Sequence, residues 1–229
     1  MTLRPDEWQA LILSLKVSFW ATVLTLPLAL AVAWLLARRE FPGKSVLSAL
    51  VHLPLVLPPV VVGYLLLLTF GRQGAIGGFL EEIGIVLAFR WTGAALAAGV
   101  MGFPLMVRAI RLAFEAVDPR LEAAAETLGA GRAQVFALIT LPLIAPGILA
   151  GALLGFAKAM GEFGATITFV ANIPGETRTL PSAIYTFLQV PGGEEGAIRL
   201  LVLSVVVAVG AVLVSEWLAR RVARRIGRS

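Results

Sequence analysis

The sequence has no cysteine, a single histidine and few charges, since only 14% of its 229 residues are Asp, Glu, Lys or Arg. Without cysteine the chain forms neither a disulfide nor a thiolate metal site, and His52 alone makes no histidine-rich metal centre. Hydrophobic residues make up 59% of the chain, more apolar surface than a soluble fold of this length can bury, whereas a lipid bilayer solvates it readily. The composition predicts an all-α, polytopic membrane protein without a metal site.

Long uncharged runs predict five membrane-spanning helices. About 20 residues, at about 1.5 Å per residue, cross a hydrocarbon core of about 30 Å, and five runs reach that length with their small and apolar flanks. The predicted spans cover residues 12–37, 45–70, 91–114, 141–168 and 197–219, within one membrane domain of residues 1–229. The opening segment, MTLRPDEWQ, lacks a basic n-region, so no cleavable signal peptide is predicted.

The distribution of Lys and Arg predicts the orientation, because cytoplasmic loops collect basic residues. One side of the predicted spans holds five of them: Arg4, Arg72, Arg90, Arg178 and Arg199. The other side holds twelve: Arg38, Arg39, Lys44, Arg108, Arg111, Arg120, Arg132, Arg220, Arg221, Arg224, Arg225 and Arg228. The N-terminus is therefore predicted outside and the C-terminus in the cytoplasm, where the arginine-rich tail contacts membrane lipid rather than nucleic acid.

The number of spans, the absence of an internal repeat and an incomplete phosphate-binding motif indicate how the chain assembles and what it does not bind. No internal repeat is evident, and five spans do not divide into two inverted halves, which argues against an inverted-repeat secondary transporter. Five helices form a thin wall for a solute path, so a homodimer with the path on its two-fold axis is predicted. The PGKS at 42–45 resembles the end of a phosphate-binding loop, but Arg38 occupies the required upstream glycine position. The chain is therefore predicted to bind no nucleotide or other cofactor.

Two spans carry candidate residues for a solute path. Pro58 and Pro59, with Gly63 one turn later, interrupt the second span, and such a break either lines a path or shapes helix packing. Lys158 and Glu162 lie four residues apart on one helical face of the fourth span. Charges within a membrane are functional candidates, although a structural ion pair near the interface is the alternative.

The segment 117–142 joins the third and fourth spans and is predicted to dock on a partner. Asp118 and Pro119 are a helix N-cap and first position, an apolar stripe follows, and Gly129 and Gly131 end the helix before a second one begins at about Arg132. A short cytoplasmic helix with small residues suits a groove, although such helices also lie on membranes. The predicted contact residues are Asp118, Leu121, Glu122, Ala124, Ala125, Leu128, Gly129, Ala130, Gly131, Arg132, Ile139 and Pro142.

The spacing of this segment resembles the EAA motif of bacterial ATP-binding-cassette importer permeases. That motif reads Glu-Ala-Ala, three residues, Gly, nine residues, Ile-x-Leu-Pro. Its alanines, glycine, isoleucine and final Leu-Pro are kept here at 124–125, 129, 139 and 141–142. Ala123 occupies the position of the motif's glutamate, with Glu122 and Glu126 nearby. In that family the helix sits in a groove of a cytoplasmic ATPase and transmits its closure to the membrane helices.

The rest of the chain is similar to the molybdate permeases of this family, through RREFPGKS, HLPLVLPPVVVGYLL, FPLMVRAIRLAFE, GEFGATITFV and IPGETRTLPSAIYT. The resemblance implies a type I importer permease fold in the cell inner membrane, without enzymatic activity. It also implies a homodimer, two cytoplasmic ATPase subunits that bind ATP and Mg, and a periplasmic or extracellular molybdate-binding protein.

An oxyanion substrate adds candidates on the outer half of the molecule. Hydroxyl and backbone N–H groups hold a tetrahedral dianion, which adds Thr166, Thr168, Arg178 and Ser182 to the candidate path residues Pro58, Pro59, Gly63, Lys158 and Glu162. Arg90, Arg178 and Arg199 either pair with acids on the delivering protein or lie at the water interface.

Three alternatives to a molybdate importer stay open at this point. Sulfate or thiosulfate and tungstate permeases are close relatives within the family. An ion-coupled secondary oxyanion transporter would need a carboxylate in mid-membrane, for which Glu162 is the one candidate. A membrane enzyme would need a catalytic constellation, and the sequence shows neither a metal-ligand cluster nor a nucleophile motif.

Overall fold

A computed structural model describes residues 4–226 of the protein, and it describes the side chains of all of these except 212, 215, 216 and 218–226. Within this part of the chain the regular elements are helices and no strand occurs. They are α1 (Pro5–Arg38), α2 (Lys44–Val56), α3 (Pro59–Phe70), α4 (Ala75–Glu82), α5 (Trp91–Ala116), α6 (Pro119–Thr127), α7 (Arg132–Val135), a π-helical turn (Phe136–Thr140), α8 (Leu141–Met160), α9 (Gly164–Val170), α10 (Leu180–Gln189) and α11 (Glu194–Ile226). The all-α class is confirmed.

Three helical segments are long and apolar enough to cross a membrane: Pro5–Arg38, Trp91–Ala116 and Arg132–Met160. Helices α2 and α3 make a fourth candidate when they are counted together, although they are bent by 113° at their junction. Helix α11 contains the fifth predicted span, part of which lies where side chains are not described. Five spans and their orientation therefore stay predictions.

The predicted second span, 45–70, is broken rather than continuous. Helix α2 ends at Val56 and α3 begins at Pro59, because a residue before proline is pushed out of the helical region. Leu57 and Pro58 accordingly adopt extended backbone, with ψ of 144° and 134°. The two prolines thus separate two helices instead of kinking one.

The predicted fourth span, 141–168, is also interrupted. Helix α8 ends at Met160, three residues break the helix, and α9 runs from Gly164 to Val170. Helix α9 packs closely on α3, since a Cβ atom added to Gly63 would lie 2.5 Å from the carbonyl oxygen of Ala165. The two broken spans therefore meet at their interruptions.

Helix α5 is the buried centre of the fold and packs between α1 and α8. Three glycines of α8, at 147, 151 and 155, recur every fourth residue and face α5. A Cβ on Gly151 would lie 3.0 Å from Cγ1 of Ile110 and 3.1 Å from the carbonyl oxygen of Met106. Small residues at this spacing let two membrane helices approach closely, and this contact holds the ends of the segment 117–142 in place.

Candidate functional site

The segment between α5 and α8 begins and ends its helix as its sequence predicts. Asp118 caps α6, because its Oδ1 accepts a hydrogen bond of 2.9 Å from the backbone N–H of Arg120. At the other end Gly129 has a φ of +89°. Its N–H bonds to the carbonyl of Glu126 at 3.0 Å, and the N–H of Ala130 bonds to that of Ala125 at 3.1 Å. This pair of bonds is the Schellman motif, which terminates a helix and turns the chain.

The apolar stripe on α6 is open to the surroundings. None of the residues of α6 is buried, and Leu128 at its end is 89% exposed. Leu121 and Ala124 are exposed as well, while Ala125 is half-buried. The predicted docking face therefore exists as an uncovered surface, which we call the α6 face (Leu121, Ala124, Ala125 and Leu128).

The other predicted contact residues follow α6 along the chain. Ala130 is half-buried and Gly131 is exposed in the turn, and Arg132 starts α7 with an exposed side chain. Ile139 lies half-buried in the π-helical turn and Pro142 is exposed in the first turn of α8. Leu138, which the sequence analysis did not single out, is also exposed there.

Glu122 points away from the α6 face. Its Oε1 lies 3.0 Å from Nη2 of Arg38, at the end of α1, and accepts a hydrogen bond of 2.6 Å from the hydroxyl of Thr140 in the π-helical turn. This carboxylate therefore joins three elements. The sequence analysis placed Glu122 among the residues predicted to contact a partner, and its pairing with Arg38 was not predicted, because the two residues are 84 positions apart.

A cavity of about 800 Å³ opens beside this junction, between α1 and the segment 117–142. Its walls are apolar along α1 and charged where the two segments meet. The lining residues are Pro27, Leu30, Ala31, Trp34, Arg38, Arg39, Glu122, Glu126, Arg132, Ala133, Val135, Phe136 and Thr140.

The break between α8 and α9 is braced by Glu162, which is 2% exposed. Its Oε2 lies 2.7 Å from Nζ of Lys158, and its Oε1 accepts the N–H of Ala165 at 3.0 Å. The predicted four-residue pairing is confirmed. Both oxygens are engaged within the chain, so the carboxylate stabilises the helix end on each side of the break.

The path candidates fall into two groups. Pro59 of α3 lies close to Gly164 of α9, and Gly63 lies close to Thr168. The two breaks therefore lie side by side, and Pro58 is the N-cap residue of α3 next to them. The candidate hydroxyls are engaged in local hydrogen bonds: Thr166 donates to the carbonyl of Phe163 at 2.9 Å and Thr168 to that of Gly164 at 2.8 Å.

Arg178 and Ser182 lie after α9 and bond locally. Nε of Arg178 donates to Oδ1 of Asn172 at 3.1 Å, and the buried Ser182 hydroxyl donates to the carbonyl of Thr179 at 2.9 Å. No hydrogen bond in the described part of the chain links these two side chains to Glu162 or to α3.

Arg199 is engaged within the chain, whereas the sequence suggested a partner protein or the water interface. Its Nη2 lies 2.8 Å from Oε1 of Glu7, which is completely buried at the start of α1. The pair joins α1 to α11 across 192 residues. No local pattern marks it, and correlated changes at the two positions among related sequences would be the signal to look for.

The comparisons with known proteins agree with one another. Residues 25–228 match the family described as binding-protein-dependent transport system inner membrane component. The chain is 62% identical over 229 residues, covering all of both proteins, to the molybdenum transport system permease protein ModB of Escherichia coli (strain K12). It is 36% identical over 185 residues to the sulfate transport system permease protein CysT of Salmonella typhimurium, covering 81% of this chain and 67% of that protein.

A solved structure shows the same fold. The crystal structure of a bacterial alginate ABC transporter, in complex with an alginate pentasaccharide-bound periplasmic protein, contains a chain that matches with a TM-score of 0.76 at 19% identity. The match covers 96% of this chain and 80% of that one. At such low identity the likeness concerns the fold alone.

Proposed function

The chain belongs to the family of binding-protein-dependent transport system inner membrane components, and we propose how it works within this family. It is an integral membrane protein, the permease subunit of an ATP-binding-cassette importer for molybdate. The observation that carries this assignment is the 62% identity to a molybdenum permease over the full length of both chains. The similarity to a sulfate permease is much more distant. The chain is a transport subunit rather than an enzyme, and a separate subunit hydrolyses ATP.

In the proposed assembly two copies of this chain form a homodimer in the cell inner membrane. Each copy has five spans, with the N-terminus outside and the C-terminus in the cytoplasm. The excess of Lys and Arg on the predicted inner side supports this orientation. A path on the two-fold axis gives the oxyanion a wall of ten helices instead of five.

The α6 face is proposed to dock in a groove of the ATPase subunit, which binds ATP and Mg. The support is its exposed leucines and small residues, together with the sharp end of α6 at Gly129. Two such subunits would bind one dimer. Closure of the ATPase pair on ATP would pull both α6 helices and favour the outward-facing state, and hydrolysis would restore the inward-facing one.

The solute path is proposed to pass the break where α3 meets α9. Interrupted helices in a membrane are tolerated where they are buried in protein or line a cavity, and two of them converge here. Lys158 and Glu162 hold the break in shape. A molybdate-binding protein outside the membrane would deliver the anion and supply most of the discrimination between oxyanions.

The decisive experiment reconstitutes the chain, its ATPase subunit and the loaded binding protein in proteoliposomes. ATP hydrolysis and anion uptake are measured with molybdate, tungstate, sulfate and thiosulfate. We expect the molybdate-loaded binding protein to stimulate both activities most strongly. Uptake that needs no ATP and follows a proton or sodium gradient would contradict the importer, and a preference for sulfate would contradict the substrate.

A further inference from the structure

The junction at Glu122 is the feature of the segment 117–142 that the proposed function leaves unexplained. One oxygen of the Glu122 carboxylate, Oε1, accepts hydrogen bonds from both the guanidinium of Arg38 and the hydroxyl of Thr140. Arg38 belongs to the last turn of α1, and Thr140 to the π-helical turn that continues into α8. Charge-assisted hydrogen bonds of this kind are roughly twice as strong as neutral ones.

Thr140 differs from most other helical threonines in the described part of the chain. The hydroxyls of Thr22, Thr25, Thr69, Thr168 and Thr186 each donate to the carbonyl four residues earlier in the same helix. Thr140 is 3% exposed and donates instead to a carboxylate on another element. The Thr140 side chain therefore does not form the usual hydrogen bond within its helix, and the local backbone conformation orients it toward Glu122.

The π-helical turn gives a physical reason for that direction. Pro142 has no N–H, so the carbonyl of Leu138 lacks its usual partner four residues later. The N–H of Leu141 bonds to the carbonyl of Phe136, five residues earlier. A turn that is one residue wider changes the directions of the side chains within it, and Thr140 is its last residue. Such π-helical turns are frequent at functional sites.

The rest of α6 is only loosely attached to the membrane helices. In the described part of the chain, Glu122 is the one residue of α6 whose side chain forms a hydrogen bond or ion pair with another element. Glu126, one turn later, is exposed and lines the neighbouring cavity. Besides the backbone connections and the packing of α6 on α7 and the π-helical turn, this carboxylate is the polar side-chain link from α6 to α1 and to the turn that continues into α8.

We propose that Glu122 is a positioning residue that transmits the movement of α6 to α1 and α8. This inference rests on the proposed function, because it takes α6 as the part that the ATPase moves. The carboxylate faces this chain's own arginine and threonine, so it acts inside the permease and not on the surface of the ATPase. It lies one residue before the alanine at the family motif's glutamate position, and its role is intramolecular.

The test measures the number of molybdate ions taken up per ATP hydrolysed by the reconstituted complex. We expect Glu122→Gln and Arg38→Gln each to lower this ratio about tenfold, while ATP hydrolysis and co-purification of the ATPase subunit persist. Because both variants remove the same ion pair, the double variant should be no worse than either single one. Glu126→Gln and Arg39→Gln are the matched controls and should leave the ratio within about twofold of the unmodified chain.

If Glu122→Gln fails to insert into the membrane, two variants of Thr140 test the proposal instead. Thr140→Val keeps the shape of the side chain but removes the hydroxyl, and Thr140→Ser keeps the hydroxyl. Only the valine variant should lower the ratio. An unchanged ratio in Glu122→Gln and Thr140→Val would overturn the proposal, and so would loss of the ATPase subunit from Glu122→Gln, since that would make Glu122 a docking residue.

Failure of the proposed function itself would look different. In that case the unmodified complex would show no ATP hydrolysis stimulated by the molybdate-loaded binding protein. The variants are therefore compared only with an unmodified complex that passes this test.

Discussion

Gly129 shows at the scale of a single residue how the backbone shapes the α6 face. Its φ of +89° lies in the left-handed region, which costs a residue with a Cβ atom about 1–2 kcal/mol. A Cβ added there would meet no atom of the chain within 4 Å. The backbone conformation at position 129 therefore favours glycine, while the space around it is unoccupied, as expected where a second protein approaches.

We predict that Gly129→Asp abolishes ATP-driven molybdate uptake while membrane insertion stays intact, because the new side chain projects toward the docked ATPase. Gly43 provides the matched control, since its φ is +93° and it also has open space around it. Gly43→Asp should carry a similar strain and retain uptake. Normal uptake by Gly129→Asp, or equal loss in both variants, would contradict the docking assignment.

Glu162 and Lys158 pose a second question at this scale, whether their charges serve stability or transport. Glu162→Gln keeps an acceptor for the N–H of Ala165 but leaves the Lys158 ammonium unpaired. We expect a loss of about 1–3 kcal/mol in stability, measured as a lower thermal unfolding midpoint in detergent. The variant Lys158→Met with Glu162→Gln should recover most of that loss. A deficit that persists in the double variant would show that the carboxylate does more than neutralise Lys158.

At the scale of elements, the contact between α5 and α8 depends on small residues. The three glycines of α8 leave no room for side chains, because Met106, Ile110 and Ala113 of α5 fill the space opposite them. Association of helices in a membrane relies on such close packing, since lipid offers no hydrophobic drive between them. The distance between the two ends of the segment 117–142 follows from this contact.

Gly151→Leu is therefore expected to separate α5 from α8 and to abolish the yield of folded, detergent-stable protein. Gly210 of α11 is a suitable control, because a Cβ added there would meet nothing within 4 Å. Gly210→Leu should leave the fold of the monomer intact. Size-exclusion chromatography of the solubilised chains distinguishes the two outcomes, and similar elution profiles for both variants would argue against the packing described here.

At the scale of the whole molecule, the pair of Glu7 and Arg199 joins the first helix to the last. Glu7 is buried, and Arg199 also lies 3.6 Å from the exposed Glu195. Removing one member of a buried pair leaves the other charge without compensation. The start of α1 and the start of α11 are therefore held together by this pair and by the apolar contacts around it.

We predict that Glu7→Gln lowers the thermal unfolding midpoint of the whole chain in detergent, whereas Glu195→Gln, which touches the same arginine from the exposed side, changes it little. Both variants remove one negative charge, so the comparison isolates burial. Equal midpoints for the two variants would mean that the pair contributes nothing to holding α1 and α11 together.

The all-helical membrane class, the limits of α6 and the pairing of Lys158 with Glu162 can all be predicted from the amino-acid sequence alone. These features depend on composition or on local signals. Asp118 and Pro119 begin α6 and Gly129 ends it, and Lys158 lies one turn from Glu162. The family resemblance also came from the spacing of such local signals.

The packing of α3 on α9 and the pairing of Glu7 with Arg199 depend instead on the tertiary fold. The fold also turns Glu122 inward, toward a partner 84 residues away. The physical reason is that a charged side chain is stabilised by whichever opposite charge the fold brings near, and sequence distance carries no information about that neighbour. The breaks in the second and fourth spans are only partly predictable. Proline and glycine mark their positions in the sequence, but the packing of the separated helices on each other depends on the fold.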